Sequence, residues 1–180
     1  MRTDWRISSF NGVLLAAYFI PTWAIVAFKI MISPIHGLYE RPNVSVALFI
    51  SDHLQLATLT TVRFAWLLAL GKLTVVGFFA IFVVLLTRAA IRKAGGCDEA
   101  LAMALGIGSV ISFASMVLAA QVGESQALKL HATELLMLLC TAIVLLVEHP
   151  TRRQPAQTQV DRNATADALA LEQAQLLNNR

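Results

Sequence analysis

Charge and cysteine are both scarce in this chain, and each scarcity removes a class of protein. Only 14% of its 180 residues are charged, where a water-soluble domain carries about a quarter. That excludes a soluble globular enzyme. The two cysteines, Cys97 expected in a short polar loop and Cys140 in an apolar run, share no CxxC spacing. Neither a secreted disulfide framework nor a metal site built on them is expected. No Walker motif, no Rossmann glycine pattern and no iron–sulfur spacing is present. The 14 Lys and Arg against 11 Asp and Glu leave a net charge of +3. The basic residues are dispersed, whereas a nucleic-acid-binding face needs them clustered. No nucleic-acid partner is expected.

Apolar residues are abundant. They make up 57% of the chain, and the mean hydropathy is +0.68. Four stretches, 12–32, 64–86, 101–122 and 130–147, are each long enough to cross a bilayer as a helix. The fold class implied is all-α: a polytopic membrane protein with four transmembrane helices. Arg2 and Arg6 precede the first stretch. It exceeds the apolar core of a signal peptide and runs on into Lys-Ile-Met-Ile-Ser-Pro. It therefore reads as a retained anchor. Pro21 near its middle removes one backbone donor, so a kink is expected there.

Lys and Arg placement orients the spans. Arg2 and Arg6, then Arg88, Arg92 and Lys93, then Arg152 and Arg153 fall on one side of a four-span arrangement. The positive-inside rule makes that side cytoplasmic, with both termini inside. The expected location is a bacterial inner membrane. The segment 44–62 is ambiguous. It is apolar at first but carries Asp52, His53 and Gln55, then Thr58, Thr60 and Thr61. Three placements stay open: an interfacial or re-entrant helix before the second span, a long helix projecting from the membrane, and a fifth span. After Pro150 large apolar residues thin out, and 150–180 reads as a polar, flexible cytoplasmic tail.

Lys72 is the one charge within 64–86. A buried ammonium is expensive unless it snorkels, meets water or finds a partner. It reads either as a structural ion pair between helices or as part of a working site. Glu134 is its expected partner. His131, three residues earlier, shares a helix face with Glu134. Asp52, His53 and Lys29 fall on the same side of the membrane. Six side chains, Lys72, Glu134, His131, Asp52, His53 and Lys29, thus define an outer-leaflet polar cluster or candidate transport site. Two histidines and two carboxylates suit a divalent ion in type. A bis-histidine haem needs opposed imidazoles deep between helices, and these lie near one edge. No metal and no cofactor are expected. Ser51-Asp52-His53 has triad residue types, but adjacency in sequence does not make a triad, so no catalytic residue is assigned.

The stretch 101–122 contains no charge. Ala104, Gly108 and Ser112 recur every four residues, and Ser115 and Ala119 continue on a shifted face. Small side chains at this spacing let helix backbones approach closely, so this span is expected to be the central packing helix. Short loops and the lack of a soluble domain favour a non-enzymatic integral membrane subunit or accessory protein. Its expected partners are the lipid bilayer and another membrane protein or a second copy of itself. A small oligomeric transporter or ion- or proton-conducting protein is the alternative. An integral membrane enzyme acting on a lipid head group is a third reading.

Overall fold

A computed structural model describes residues 7–54, 57–88 and 96–148. Among them every element is helical. The chain forms two compact units, Met1–Ile143 and Val144–Arg180. Of the second, residues 144–148 are described, as the last turn of a helix. The tail 150–180 lies outside the described residues.

Among the described residues four helices are long and apolar enough to cross a membrane. They are α1 (Ile7–Ile32), α4 (Thr58–Thr87), α5 (Gly96–Val122) and α6 (Ser125–Glu148). Two short helices, α2 (Pro34–Leu38) and α3 (Val44–Phe49), stand between the first two, and a π-helical turn, Ile50–Leu54, extends α3. The long helices start before the apolar stretches do. Ser8 and Ser9 lie in the first turn of α1, Thr58–Thr61 open α4, and Asp98 and Glu99 open α5. These residues are helix-compatible but not apolar, so hydropathy marks where lipid begins rather than where the helix does. Cys97 accordingly sits buried in the first turn of α5 rather than in a loop, and Cys140 is exposed on α6.

The segment 44–62 is not one helix. Helical structure from Val44 to Leu54 rises about 16 Å at most, roughly half a bilayer core, so it is too short for a fifth span. Ala57 has extended backbone, φ −58° and ψ 146°, which separates it from α4. Residues 58–62 are the opening turns of α4 itself, so no continuous projecting helix forms either.

Within the first unit α1 packs on α4, α4 on α5, and α3 on α5. Glycines mark the close approaches. A Cβ at Gly108 of α5 would lie 3.6 Å from Val75 Cγ1 of α4 and 3.4 Å from Leu138 Cδ1 of α6. One at Gly12 of α1 would meet Phe82 of α4 at 2.8 Å. The ring of Phe19 stacks on Phe79 at 5.7 Å between centroids, and Trp23 meets Phe19 edge-on at 5.0 Å.

The distribution of side chains identifies the solvent. Inward faces carry many small or aromatic residues: Ala27, Ala65, Ala69, Ala104, Ser112, Ala119, Phe19 and Phe79 are all buried, beside aliphatics such as Ile30, Val75 and Leu138. Outward faces carry large aliphatics, with Leu67, Val110 and Leu136 each more than 60% exposed. In water such a surface would be a severe aggregation liability. In lipid it is the expected outer surface, and close packing of small residues rather than hydrophobic burial holds the helices together.

Two connections are fixed by glycine. Gly123 ends α5 at φ 76°, and the Glu124 N–H donates to Ala119 O at 3.0 Å. This left-handed C-terminal cap folds α6 directly back along α5. At Gly37 of α2 an added Cβ would lie 2.6 Å from Ile30 Cα and 2.8 Å from Ile30 N. Only glycine lets α2 fold onto the end of α1.

Candidate functional site

Each inward stripe delivers one or two polar side chains to the same level of the helix packing. On α4 the buried positions Ala65, Ala69, Lys72 and Val75 follow helical spacing, which turns Lys72 inward. On α1 the buried run Phe19, Trp23 and Ala27 does the same for Trp23. On α6 the buried residues Ala127, His131, Glu134 and Leu138 line one face. Asn43 completes the set from the α2–α3 connection. None of Trp23, Asn43, Lys72, His131 and Glu134 is more than 4% exposed.

These groups are tied to one another. Lys72 Nζ donates to Asn43 Oδ1 at 2.7 Å, and Asn43 Nδ2 donates to Gly37 O at 3.0 Å. Trp23 Nε1 donates to Glu134 Oε1 at 3.1 Å. His131 Nδ1 lies 3.0 Å from Glu134 Oε2, and His131 Nε2 lies 2.9 Å from Pro42 O. The Lys72 ammonium stands 5.5 Å from the centroid of the Trp23 ring, within cation–π range. Every one of these bonds is made in a region where an unpaired polar group would be costly.

Pro42 O can only accept, so His131 Nε2 donates to it.

The six residues expected to cluster fall into different places. Lys72, Glu134 and His131 meet in the buried layer. Lys72 gives its hydrogen bond to Asn43 rather than to Glu134, because Glu134 is taken up by Trp23 and His131. Lys29 pairs with Glu40 at 2.8 Å on the exposed rim, a contact of small energetic weight. Asp52 is exposed in the π-helical turn. The side chain of His53 lies outside the described residues. Of the packing positions, Ala104, Gly108, Ser112, Ser115 and Ala119 are all buried. They form one continuous stripe rather than two shifted faces.

Trp23 and Asn43 are the layer's members that sequence reasoning missed. In the sequence Trp23 stands out only as a flank, with Tyr18, of Pro21. Asn43 precedes a helix, where an asparagine normally caps the free N–H groups with its side chain. Here it makes no side-chain cap; its amide goes to Lys72 and Gly37. The one available signal was an asparagine beside Pro42 in the segment opposite an intramembrane lysine.

A groove of about 440 Å³ is lined by Ile35, Tyr39, Ala47, Ile50, Ser51, Thr58 and Thr61. Lys72 is not part of its lining. Among the described residues no three His, Cys, Asp or Glu side chains gather as metal ligands would. No protein family, no curated protein and no solved structure matches this chain.

Proposed function

We propose that this chain is a non-enzymatic integral membrane subunit or accessory protein that packs against a partner membrane protein. It sits in a bacterial inner membrane with both termini cytoplasmic, and α2 and α3 re-enter or line the outer interface. What supports this reading is the use of the buried polar groups. Trp23, Asn43, His131 and Glu134 each make at least one hydrogen bond to another element of the same chain. Polar groups committed in this way fix helix positions; they do not present a surface to substrate. The outward aliphatic faces are left for lipid and for a partner, where van der Waals packing operates.

A small oligomeric transporter or ion- or proton-conducting protein is the second reading, favoured by the burial of three titratable side chains, Lys72, His131 and Glu134. The lipid head-group enzyme has less support. Asp52 is exposed while Glu134 is buried with both oxygens engaged.

Extraction of the native membrane in a mild detergent separates the two leading readings. The subunit reading expects a complex of fixed stoichiometry containing a second membrane protein, which Lys72→Met weakens by loosening the fold. It fails if the chain elutes alone or as a homo-oligomer and conducts ions in vesicles. Loss of that flux in a folded Lys72→Met variant would establish the transporter.

A further inference from the structure

The groove between α2, α3 with its π-helical turn, and the start of α4 mixes two kinds of wall. Ile35, Ala47 and Ile50 give it apolar surface, while Tyr39, Ser51, Thr58 and Thr61 bring hydroxyl-bearing side chains. Among the described residues none of its lining is charged. Its volume of about 440 Å³ lies within the range of sites that take one small molecule.

Packing fixes this shape in advance. Ala47 belongs to a buried cluster with Ala27, Ile30, Leu38 and Ala65, so α1, α2 and α4 all hold the groove's α3 wall. Ile50 and Ser51 open the π-helical turn; such turns are rare and concentrate at functional sites. Large apolar side chains flank the lining within one helical turn along the chain. Ile32, Leu54 and Leu59 are exposed, as is Ile35 itself. On α1 the exposed Phe28 and Ile25 carry this apolar surface on toward the outward faces of the long helices.

The lining selects an occupant by exclusion. A charged ligand finds no counter-charge in it. A purely apolar chain leaves hydroxyl groups without acceptors, and water leaves Ile35 and Ile50 wet. What matches is a molecule with uncharged acceptors beside hydrocarbon. In a bilayer that is the ester region of a diacyl lipid, where carbonyl oxygens meet the first methylenes. We infer that the groove holds one diacyl phospholipid by its glycerol esters and the start of a chain, with the head group outside. Hydroxyls of the wall donate to the ester carbonyls, and Ile35, Ala47 and Ile50 cover the methylenes. The inference rests on the reading that lipid surrounds the long helices, and it adds a fixed lipid at a named place.

Native mass spectrometry of the full chain released from a mild detergent provides the test. The probes are phosphatidylglycerol and phosphatidylethanolamine with identical acyl chains, and the diether analogue of the first. One diester lipid of either head group should survive the activation energy that strips all others. The diether analogue should need several-fold higher concentration for the same occupancy. Ser51→Trp, at an exposed position, should fill the groove and lose the retained lipid, whereas Leu67→Trp on the outward face should keep it. Equal retention in the wild type and Ser51→Trp would mean surrounding lipid only and would overturn the inference. So would a strict need for the anionic head group, or equal binding of diester and diether. If spin labels on the outward faces report lipid while no single lipid is retained, the groove assignment fails and the membrane reading stands.

Discussion

Lys72 Nζ and Asn43 Oδ1, 2.7 Å apart, connect residues separated by 29 positions. The bond holds the α2–α3 connection against α4, and its two ends are worth more together than apart. Asn43→Ala alone loses the bonds to Lys72 and to Gly37 O. In a Lys72→Met background the same substitution should cost about 1–2 kcal/mol less, the coupling of a buried charge-assisted hydrogen bond. Denaturation of the four variants in one detergent gives that number directly, and an additive cycle would remove the pair from the account. Trp23 is a second case. Trp23→Phe keeps the edge-on contact with Phe19 but deletes the donor to Glu134. It should destabilise by about 1–2 kcal/mol, with the larger share lying in the oxygen left unpartnered. A loss no greater than that of an outward substitution such as Leu67→Ala would show the indole N–H to be dispensable.

The glycines divide sharply among the elements. Gly37 in α2 is pressed on the backbone of Ile30, whereas Gly77 in α4 has nothing within 4 Å of an added Cβ. Gly37→Ala must push α2 off α1 and drag Asn43 away from Lys72, at a cost of about 2–3 kcal/mol. Gly77→Ala should be neutral or stabilising by up to about 1 kcal/mol through helix propensity. Thermal unfolding of the two variants side by side checks this, and equal effects would contradict the close packing of α2. Elements of this kind differ in how well the sequence announces them. The four long helices were legible because lipid selects long apolar stretches, and the small residues Ala104 to Ala119 were legible because close helix approach repeats every three or four positions. The breaks within 44–62 were not. A short helix, a π-helical turn and an extended Ala57 leave no periodicity, and their stability comes from contacts with α1, α4 and α5. The pairing of Lys72 was hidden for the same reason. Charge type alone nominates Glu134, but Trp23 reaches Glu134 across 111 positions and only the assembled helices decide who touches whom.

At the scale of the whole molecule, two kinds of surface oppose each other. Small and polar side chains are concentrated inward, and large apolar side chains such as Leu67, Val110 and Leu136 stand outward over four helices. This inversion is stable only if the medium around the helices is as apolar as their surface. The buried layer of Trp23, Asn43, Lys72, His131 and Glu134 is then a level at which the interior differs strongly from its surroundings. Its hydrogen bonds set the register and tie the α2–α3 connection to α6 through Pro42 and His131.

The most direct test of that inversion is the accessibility of spin labels on the protein in lipid vesicles. Labels attached to cysteines at Leu67, Val110 and Leu136 should collide readily with oxygen, which concentrates in lipid, and hardly at all with a water-soluble nickel chelate. Labels at Glu40 and Glu124, in the short connections, should show the reverse. Equal access of the nickel chelate to all five positions would mean that water, not lipid, surrounds these helices.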